Sequence, residues 1–300
     1  MKKILVIYYT QTGQLKEISD NLLLPFKGRK DYEVDYYAIE PVTDFPFPWN
    51  GEEFYNAFPE SFRQIPIEIK PPPPAILEKE YDLIVLSYQI WFLTPSIPIN
   101  SFMKSEFASR IMKDKKVVTA IGCRNMWAKA QQKAKQLIEN AGGKLVGNVA
   151  FVDKSPNLIS VITIVHWLMG GKKTRKFGFF PKPGVDEKDI KGASKFGELV
   201  FNSLEDNDFS QLQNQIKEQG GVEIKPFIIF MDEKANRMFS LWSNFILKNK
   251  KNRKFKLKLF KYYLLIALFV ISPIVFTIFM LSYPLRLKQI KTKEKLYCGV

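Results

Sequence analysis

Residues 1–15 read Met1-Lys-Lys-Ile-Leu-Val-Ile-Tyr-Tyr-Thr-Gln-Thr-Gly-Gln-Leu15. Ile4 to Tyr9 is a short apolar run of the kind that forms a fully buried strand. A polar turn follows at residues 10–14, and then apolar residues recur at helical spacing: Leu15, Ile18, Leu22, Leu23 and Phe26. This order of strand, turn and helix predicts the opening unit of an α/β domain.

The turn at residues 10–14 has the features of an anion site. The N–H groups of a helix's first turn point toward a ligand, and the helix dipole favours negative charge there. Gly13 lets the backbone come close, and the side chains of Thr10, Thr12 and Gln14 offer hydrogen bonds without a cation. An ordinary capped turn fits the same residues, so this stretch alone leaves both interpretations open.

The net charge of +15 is concentrated in two C-terminal runs. Lys248 to Lys261 holds eight basic residues and no acid, and Arg286 to Lys295 holds five basic residues and one glutamate. The runs carry +8 and +4, which leaves +3 for the rest of the chain. This distribution argues against a broad nucleic-acid surface, and we expect no nucleic-acid partner.

Cysteine and histidine are scarce. Cys123 and Cys298 are the only cysteines and His166 is the only histidine, so a disulfide framework, a cysteine metal site and a multi-histidine metal cluster are excluded. The composition still allows one catalytic cysteine–histidine pair, formed by Cys123 and His166. The first apolar run is too short for a signal peptide, so we expect the globular part in the cytoplasm.

Four further apolar runs predict strands, and helical patterns alternate with them; the runs are 34–39, 82–87, 116–121 and 145–152. This alternation predicts a doubly wound, five-stranded parallel sheet with right-handed crossovers. Ligands of such sheets lie at the C-terminal strand ends. Unusual loops follow the first, third and fourth strands, and all three should therefore share one edge.

Residues 40–74 form a long, aromatic-rich insertion that ends in four prolines, Pro71 to Pro74. Its aromatic residues suit a lid over a flat ligand or a contact between subunits. The third interpretation is a loop that simply packs on the protein surface. Trp49, Phe54 and Tyr55 are the residues that we expect to line a substrate entry.

The three loops resemble the flavin loops of flavodoxin-like proteins. Thr10 to Gln14 is similar to the FMN-phosphate loop of flavodoxins, although Leu15 replaces a common threonine and puts one phosphate hydrogen bond in doubt. Gln89 to Phe92 resembles the second flavin loop of flavodoxin-like NAD(P)H:quinone reductases, and Gly122 to Asn125 resembles the third loop. The resemblance covers about residues 1–152 and implies FMN as cofactor. The ligands it implies are Thr10, Gln11, Thr12, Gly13, Gln14, Leu15, Tyr88, Gln89, Ile90, Trp91, Phe92, Gly122, Cys123, Arg124 and Asn125.

The opening stretch, the Phe45-Pro-Phe-Pro-Trp49 motif, residues 122–135 and the apolar tail together resemble the bacterial dialkylresorcinol condensing enzymes. That family is a partner in making aryl-lipid pigment precursors. Its name implies carbon–carbon condensation, whereas its ascribed chemistry includes FMN-dependent aromatisation of a dialkyl-cyclohexanedione. Condensation would need an acylated cysteine with histidine or asparagine partners, and Cys123 lies in a flavin-type loop. We therefore expect redox chemistry here and condensation by a separate ketosynthase partner.

The expected function is that of a membrane-anchored, FMN-dependent oxidoreductase acting on a lipophilic substrate. An NAD(P)H-dependent quinone reductase, an electron-carrier flavodoxin and a flavin-free membrane scaffold are the alternatives. Arg124, Tyr88 and His166 are the candidate catalytic side chains. Arg124 would stabilise reduced flavin, or else cap or pair at the surface. The electron acceptor, the alkyl chains and the choice between monomer and homodimer are left open.

The second half of the chain points to a membrane. For residues 153–247 we expect a helical extension. Its segment 158–169 is apolar but too short to span a bilayer. Its segment 187–204 should cover the sheet. Residues 262–285 hold 24 residues without a charge, about 36 Å of helix and enough for a transmembrane helix. We expect the inner membrane, a basic juxtamembrane segment at 248–261, a basic tail at 286–300 and a catalytic domain facing the cytoplasm. A re-entrant anchor with both ends inside is the alternative.

Overall fold

The computed structural model describes residues 1–249 and 251–300. Its sheet has five parallel strands, and a two-residue strand, β4, pairs antiparallel with the end of β3. The parallel strands follow the order β2-β1-β3-β5-β6, which is the flavodoxin-like order. The predicted five-stranded, doubly wound fold is confirmed. The strands are β1 (Lys2–Tyr8), β2 (Tyr32–Ala38), β3 (Leu83–Trp91), β4 (Thr94–Pro95), β5 (Lys116–Cys123) and β6 (Lys144–Val152).

The central strand β1 is buried on both faces. Ile4, Leu5, Val6 and Ile7 expose no surface, as a strand between two helical layers requires. β1 pairs with β2 on one side and β3 on the other, and β3 pairs with β5. The C-terminal ends of β1, β3 and β5 therefore lie side by side at one edge of the sheet.

Helices cover the sheet. The first twelve are α1 (Gln14–Leu22), α2 (Gly51–Asn56), α3 (Phe58–Phe62), α4 (Pro74–Leu77), α5 (Ile97–Met103), α6 (Glu106–Met112), α7 (Ala128–Asn140), α8 (Asn157–Gly170), α9 (Glu187–Lys191), α10 (Ser194–Glu205), α11 (Leu212–Glu218) and α12 (Pro226–Leu247). Helix α10 packs against α1, and α11 packs against β6.

The hydrophobic core of the sheet continues past the predicted domain boundary at residue 152. Phe196, Val200 and Leu204 of α10 lie in the same hydrophobic core as strand β1. Residues 187–204 do cover the sheet, as predicted, but as two helices, α9 and α10. The helices α9 and α10, which complete the layer over the sheet, thus follow the connection formed by residues 153–186. The sheet and these helices share one hydrophobic core.

The apolar tail is a long helix with a local change of pitch. It consists of α13 (Arg253–Ile266), a π-helical stretch (Ala267–Ile271) and α14 (Ser272–Leu281). The π stretch lies just before Pro273, which lacks an N–H for a regular helical hydrogen bond. Residues 253–281 are long and apolar enough to cross a membrane by length and composition. The helix begins nine residues before the predicted Tyr262, inside the basic run, whose Lys250 lies outside the described residues.

This long helix lies antiparallel along α12. Near its beginning, Phe260 contacts Phe239 of α12 with ring centroids 5.5 Å apart. Near its end, Phe279 contacts Phe227 and Phe230, at 5.5 and 5.3 Å. The partner residues run backwards along α12, so the two helices pair over most of their length.

The last helix, α15 (Tyr283–Cys298), returns to the sheet domain. Tyr297 and Cys298 are buried in the main core. Gln213 Nε2 of α11 donates a 2.7 Å hydrogen bond to the Cys298 carbonyl, and the Tyr297 hydroxyl donates to Glu233 of α12. The apolar helix is present as predicted. In the structure the tail that follows it, residues 286–300, packs against the folded domain.

Candidate functional site

Three predicted loops meet at the shared edge of β1, β3 and β5. The first is residues 10–15, the second 88–93 and the third 122–125. The first and third loops are in direct contact: a Cβ built on Gly122 would lie 3.2 Å from Leu15 Cδ1. The structure therefore brings together the loops that the sequence pattern assigned to one ligand.

The first loop has the geometry of an anion cradle. Gly13 has φ of +81°, and a Cβ at this position would meet no atom within 4 Å, so its outer side is open. The Gly13 N–H donates to Thr10 Oγ1 at 3.1 Å, and the Gln14 N–H lies 3.5 Å from Thr12 Oγ1. Because each hydroxyl accepts here, its own hydrogen can be donated to an anion. The N–H groups at the start of α1 add further donors.

Two amide side chains predicted as ligands have other partners. Gln14 pairs with the backbone of Val185, accepting from its N–H at 2.9 Å and donating to its carbonyl at 3.1 Å. Gln11 accepts from Trp49 Nε1 at 3.1 Å and donates to the Pro46 carbonyl at 3.2 Å. Their side chains attach the flanking segments to the first loop.

Leu15 contributes no side-chain ligand either. It is buried in the core beneath Gly122, so the hydrogen bond of the threonine that it replaces is missing, as the sequence indicated. Only the backbone N–H of Leu15 can take part in binding. The side chains of Gln11, Gln14 and Leu15 thus have protein partners or lie in the core, whereas Thr10, Thr12 and Gly13 lie at the open side of the loop.

Lys173 was missed by the sequence analysis. Its Nζ lies 3.5 Å from the Val185 carbonyl, the same oxygen to which Gln14 donates. A cation is thus placed beside the first loop. The signal that could have found it is the cluster Lys172, Lys173, Arg175 and Lys176, which follows the apolar stretch at 158–169 directly.

The second loop is a tight hairpin rather than an open loop. β3 continues to Trp91, which pairs with Thr94 of β4. Phe92 and Leu93 between them have φ of +47° and +65°, the signs that a type I′ turn requires. Positive φ is costly for bulky residues and persists only where the surroundings enforce it.

The hairpin is held by side chains from two other elements. Ser61 Oγ of α3 and Thr94 Oγ1 each donate to the Trp91 carbonyl at 3.0 Å. Lys133 Nζ of α7 donates to the Leu93 carbonyl at 3.1 Å. These bonds fix the position of the aromatic residues that the second loop carries.

The aromatic insertion packs onto this hairpin. The Trp91 ring meets those of Phe45 and Trp49 edge-on, with centroids 4.9 and 5.5 Å apart. Phe54 lies 5.1 Å from Phe92, and Tyr55 contacts Phe54 at 5.4 Å. Trp49 is buried, while Phe54 and Tyr55 are half-buried. The insertion is therefore a packed wall beside the second loop.

Tyr88, a candidate catalytic side chain, is buried in the core. It exposes no surface, its hydroxyl donates to Gln131 Oε1 at 2.6 Å, and burial raises its pKa well above the ordinary value. Only its backbone reaches the edge.

The next residue, Gln89, has an unsatisfied side chain. Its Nε2 is buried and has no hydrogen-bond partner in the part of the chain that the structure describes. Such an orphaned donor indicates a place for a ligand acceptor.

Arg124 of the third loop is attached to α8. Its Nη1 donates to the carbonyl and Oδ1 of Asn157, at 3.1 and 2.8 Å, and to Ser160 Oγ at 3.1 Å. Asn125 Nδ2 also donates to Asn157 Oδ1, at 2.6 Å. Burial lowers the pKa of Arg124 to about 10. The structure thus shows Arg124 hydrogen-bonded to the beginning of α8.

Cys123 and His166 do not form a catalytic pair. Part of Cys123 reaches the surface, but burial of its sulfur raises the thiol pKa far above the ordinary value. The His166 ring bonds with Thr174 Oγ1 at 3.2 Å, and no hydrogen bond joins it to Cys123 among the described residues. The structure thus offers condensation chemistry no activated thiol at this edge.

Comparisons with known proteins assign no family to this chain. No protein-family model matches the chain, and no curated protein matches it. Among solved structures, a flavoprotein from Lactobacillus acidophilus in complex with FMN is similar at 15% identity and TM-score 0.40, covering 50% of this chain and 93% of that one. A flavoprotein from Bacteroides eggerthii is similar at 21% identity and TM-score 0.39, covering 49% and 87%.

Oxidised flavodoxin 1 from Bacillus cereus is similar at 13% identity and TM-score 0.33, covering 57% of this chain and 99% of that one. Scores and identities this low carry no argument about function. The fold assignment rests on the strand order of this chain itself.

Proposed function

We propose that this chain binds FMN and is a membrane-attached oxidoreductase that aromatises a lipophilic dialkyl-cyclohexanedione to a dialkylresorcinol. The observation that carries the proposal is the meeting of three loops at adjacent ends of β1, β3 and β5, with an open cradle at Gly13. The switch point of a doubly wound sheet is where such ligands bind.

The residues at this edge fit FMN. Thr10, Thr12 and the N–H groups at the start of α1 would hold its phosphate, with the Lys173 ammonium close by. Gln89 Nε2 would donate to a polar atom of the ring system, because no protein acceptor satisfies it in the described chain. The aromatic hairpin would flank the ring with Trp91. When bound, FMN would supply hydride acceptance from a ring carbon, and enolisation would complete the aromatic ring.

The aromatic wall favours an apolar substrate. Phe54 and Tyr55 stand beside the hairpin and keep part of their surface exposed. The same wall would exclude water from the reacting face. Condensation belongs to a separate ketosynthase partner in this proposal, because the Cys123 thiol is held protonated.

We infer attachment to one leaflet of the membrane rather than a span. The long helix keeps a row of large apolar side chains exposed, among them Ile274 and Ile278 at 57% each. Its other face is committed to α12, and its two ends to the folded domain. A helix that lies in the interface buries one apolar face in the lipid and keeps both ends on the same side. As in the re-entrant alternative, both ends would lie on the cytoplasmic side with the domain, but the helix would stay in the plane of the interface.

The flavin proposal is tested by the absorbance spectrum of the purified protein after reconstitution with FMN and with FAD. We expect the oxidised-flavin band with FMN. Anaerobic addition of a 2,5-dialkyl-cyclohexane-1,3-dione should then bleach the band and yield the resorcinol. A protein that takes up no flavin would end the proposal. Bleaching by NADH but not by the dione would instead favour the quinone-reductase alternative.

Attachment to one leaflet is tested by cysteine labelling. Lys251 and Lys291 are exposed residues on either side of the apolar helix. Lys251→Cys and Lys291→Cys, each in a background with both native cysteines replaced (Cys123→Ala and Cys298→Ser), should react with a membrane-impermeant maleimide from the same side of sealed vesicles. Labelling from opposite sides would show a true span.

A further inference from the structure

Two adjoining cavities lie on the far side of the third loop. One, of about 440 Å³, follows the end of β6 and is lined by Asn125, Phe151 and Asp153. The other, of about 600 Å³, lies between α8, α12 and α14. Asn157, Lys225 and Ile228 line both cavities, so the two cavities are adjacent. Each volume is in the range of small-molecule sites.

One residue that lines the first cavity, Asp153, has an unsatisfied carboxylate oxygen. Asp153 is only 6% exposed. Its Oδ1 accepts from the Ser155 N–H at 2.8 Å, but its Oδ2 is buried without a hydrogen-bond partner among the described residues. A buried carboxylate oxygen needs a donor, and a hydroxyl group of a ligand in the cavity would supply it.

The second cavity is apolar and borders the lipid-facing surface. It is lined by Leu158, Phe227, Ile228, Pro273, Phe276, Phe279 and Met280, among others. On the same helix α14, Ile274 and Ile278 are exposed on the surface that we assign to the lipid. An alkyl chain could therefore pass from the leaflet into the cavity beside α14 without crossing water.

We propose that these two adjacent cavities together bind an alkylated phenol or enol, with its hydroxyl donating to Asp153 Oδ2 and its alkyl chain between α12 and α14. The site deepens the proposed function, on which it rests for the chemical class of ligand. It adjoins the edge where the flavin loops meet, because Asn125 of the third loop lines the first cavity. Asn157 links the two, because it lines both cavities and also accepts from Arg124 and Asn125. The site thus holds substrate or product next to the third loop.

Binding of 4-hexylresorcinol to the full chain, followed by calorimetry and compared with resorcinol, tests the site. We expect the hexyl compound to bind more tightly, since each buried CH₂ adds roughly 0.8 kcal/mol, about fourfold in affinity. Asp153→Asn keeps the acceptor for Ser155 but removes the charge, and should weaken binding about tenfold, the usual size of a charge-assisted hydrogen bond. Ile228→Trp should fill the junction and abolish the preference for the alkyl chain.

The matched control is Ile274→Trp, which adds the same ring on the exposed face of the helix and should leave binding unchanged. Thermal unfolding of each variant verifies that it is folded. Equal binding by the native protein, Asp153→Asn and Ile228→Trp would mean unspecific partitioning and overturn the site. The flavin spectrum separates the two proposals. Loss of probe binding in a protein that still takes up FMN defeats only the site, and absent flavin with variant-sensitive probe binding defeats only the flavin function.

Discussion

The ring of Phe58 stacks on the ring of Phe260, with centroids 3.8 Å apart and planes 5° apart. Phe58 belongs to the aromatic insertion and Phe260 to the apolar helix. Phe58 also contacts Phe92 of the second loop, at 5.4 Å. Three parts of the chain that are distant in sequence therefore share one buried aromatic contact, and the membrane-facing helix is packed directly against the support of the candidate site.

Phe260→Ala should lower the free energy of unfolding by about 3–5 kcal/mol, because the ring is fully buried and its removal leaves a cavity. The matched control is Phe255→Ala on the same helix, where the ring is 61% exposed and little should change. Chemical denaturation of both variants measures the difference. Equal stability of the two variants would show that the helix is not packed against the insertion.

Gly13→Val should abolish FMN uptake, because a β-branched residue with φ of +81° is strained and its side chain would enter the open space in front of the loop. Gly28 has a matching φ of +78° and the same open surroundings, away from the site. Gly28→Val should have a similar cost in stability but keep the flavin spectrum. Flavin retention by both variants would remove the first loop from the phosphate site.

Arg124→Gln should loosen α8 rather than change the flavin's midpoint potential. The variant loses charged hydrogen bonds to Asn157 and Ser160, roughly 1–3 kcal/mol. Hydrogen exchange should accelerate in residues 157–170. Arg110→Gln, at an exposed position in α6, is the control. Unchanged exchange together with a lower potential would return Arg124 to the role beside reduced flavin.

Ile274→Glu with Ile278→Glu should release the protein from vesicles, because both side chains lie on the exposed face of α14 and charges in the apolar layer are costly. Val42→Glu with Ile65→Glu, which adds two charges at exposed apolar positions elsewhere, should leave sedimentation with vesicles unchanged. Release by both pairs would mean that general charge, and not this face, controls attachment. Deletion of residues 248–300 is a poorer test, since it would uncover Phe58.

Asp232 should make stability depend on pH. It is buried and accepts from the Lys129 N–H at 3.0 Å, and burial raises its pKa to about 7. The folded protein thus holds this proton more tightly than the unfolded chain, so stability should fall as pH rises from about 4 to 7, by on the order of a few kcal/mol. For Lys133, burial lowers the pKa to about 8, so stability should rise again from about pH 8 to 9. Above about pH 9 the raised thiol pKa of Cys123 acts in the opposite direction.

Denaturation at a series of pH values should therefore show a minimum between about pH 7 and 8. Asp232→Asn should remove the falling limb and keep the rising one. A falling limb of the same slope in Asp232→Asn would assign it to another group.

The sheet and the meeting of the three loops could be predicted because both follow from local pattern. Buried parallel strands are continuous apolar runs, and the ends of neighbouring parallel strands share an edge. The partners of Gln11 and Gln14 could not be predicted in this way. Val185 lies 171 residues beyond Gln14, and nothing in the local sequence indicates that the two meet.

The hairpin at residues 91–94 was missed because it lacks the usual residues. A two-residue turn of this kind is marked by asparagine or glycine, whereas Phe92 and Leu93 occupy it here. Tertiary contacts from Ser61 and Lys133 enforce the turn. The return of the tail escaped prediction for a related reason: apolar composition at 262–285 is the same whether the helix meets lipid alone or lies along α12.

The hairpin that carries Trp91 also bears on how a ligand would bind. Its backbone is already fixed by the ladder to β4 and by donors from Ser61 and Lys133. When a ligand ring binds against this hairpin, the protein loses almost no conformational entropy. A flexible loop that closed on the ring would lose much more. The cost of ordering has been met during folding. Ligands should therefore be distinguished by how well they match a wall of fixed shape, with little adjustment by the protein.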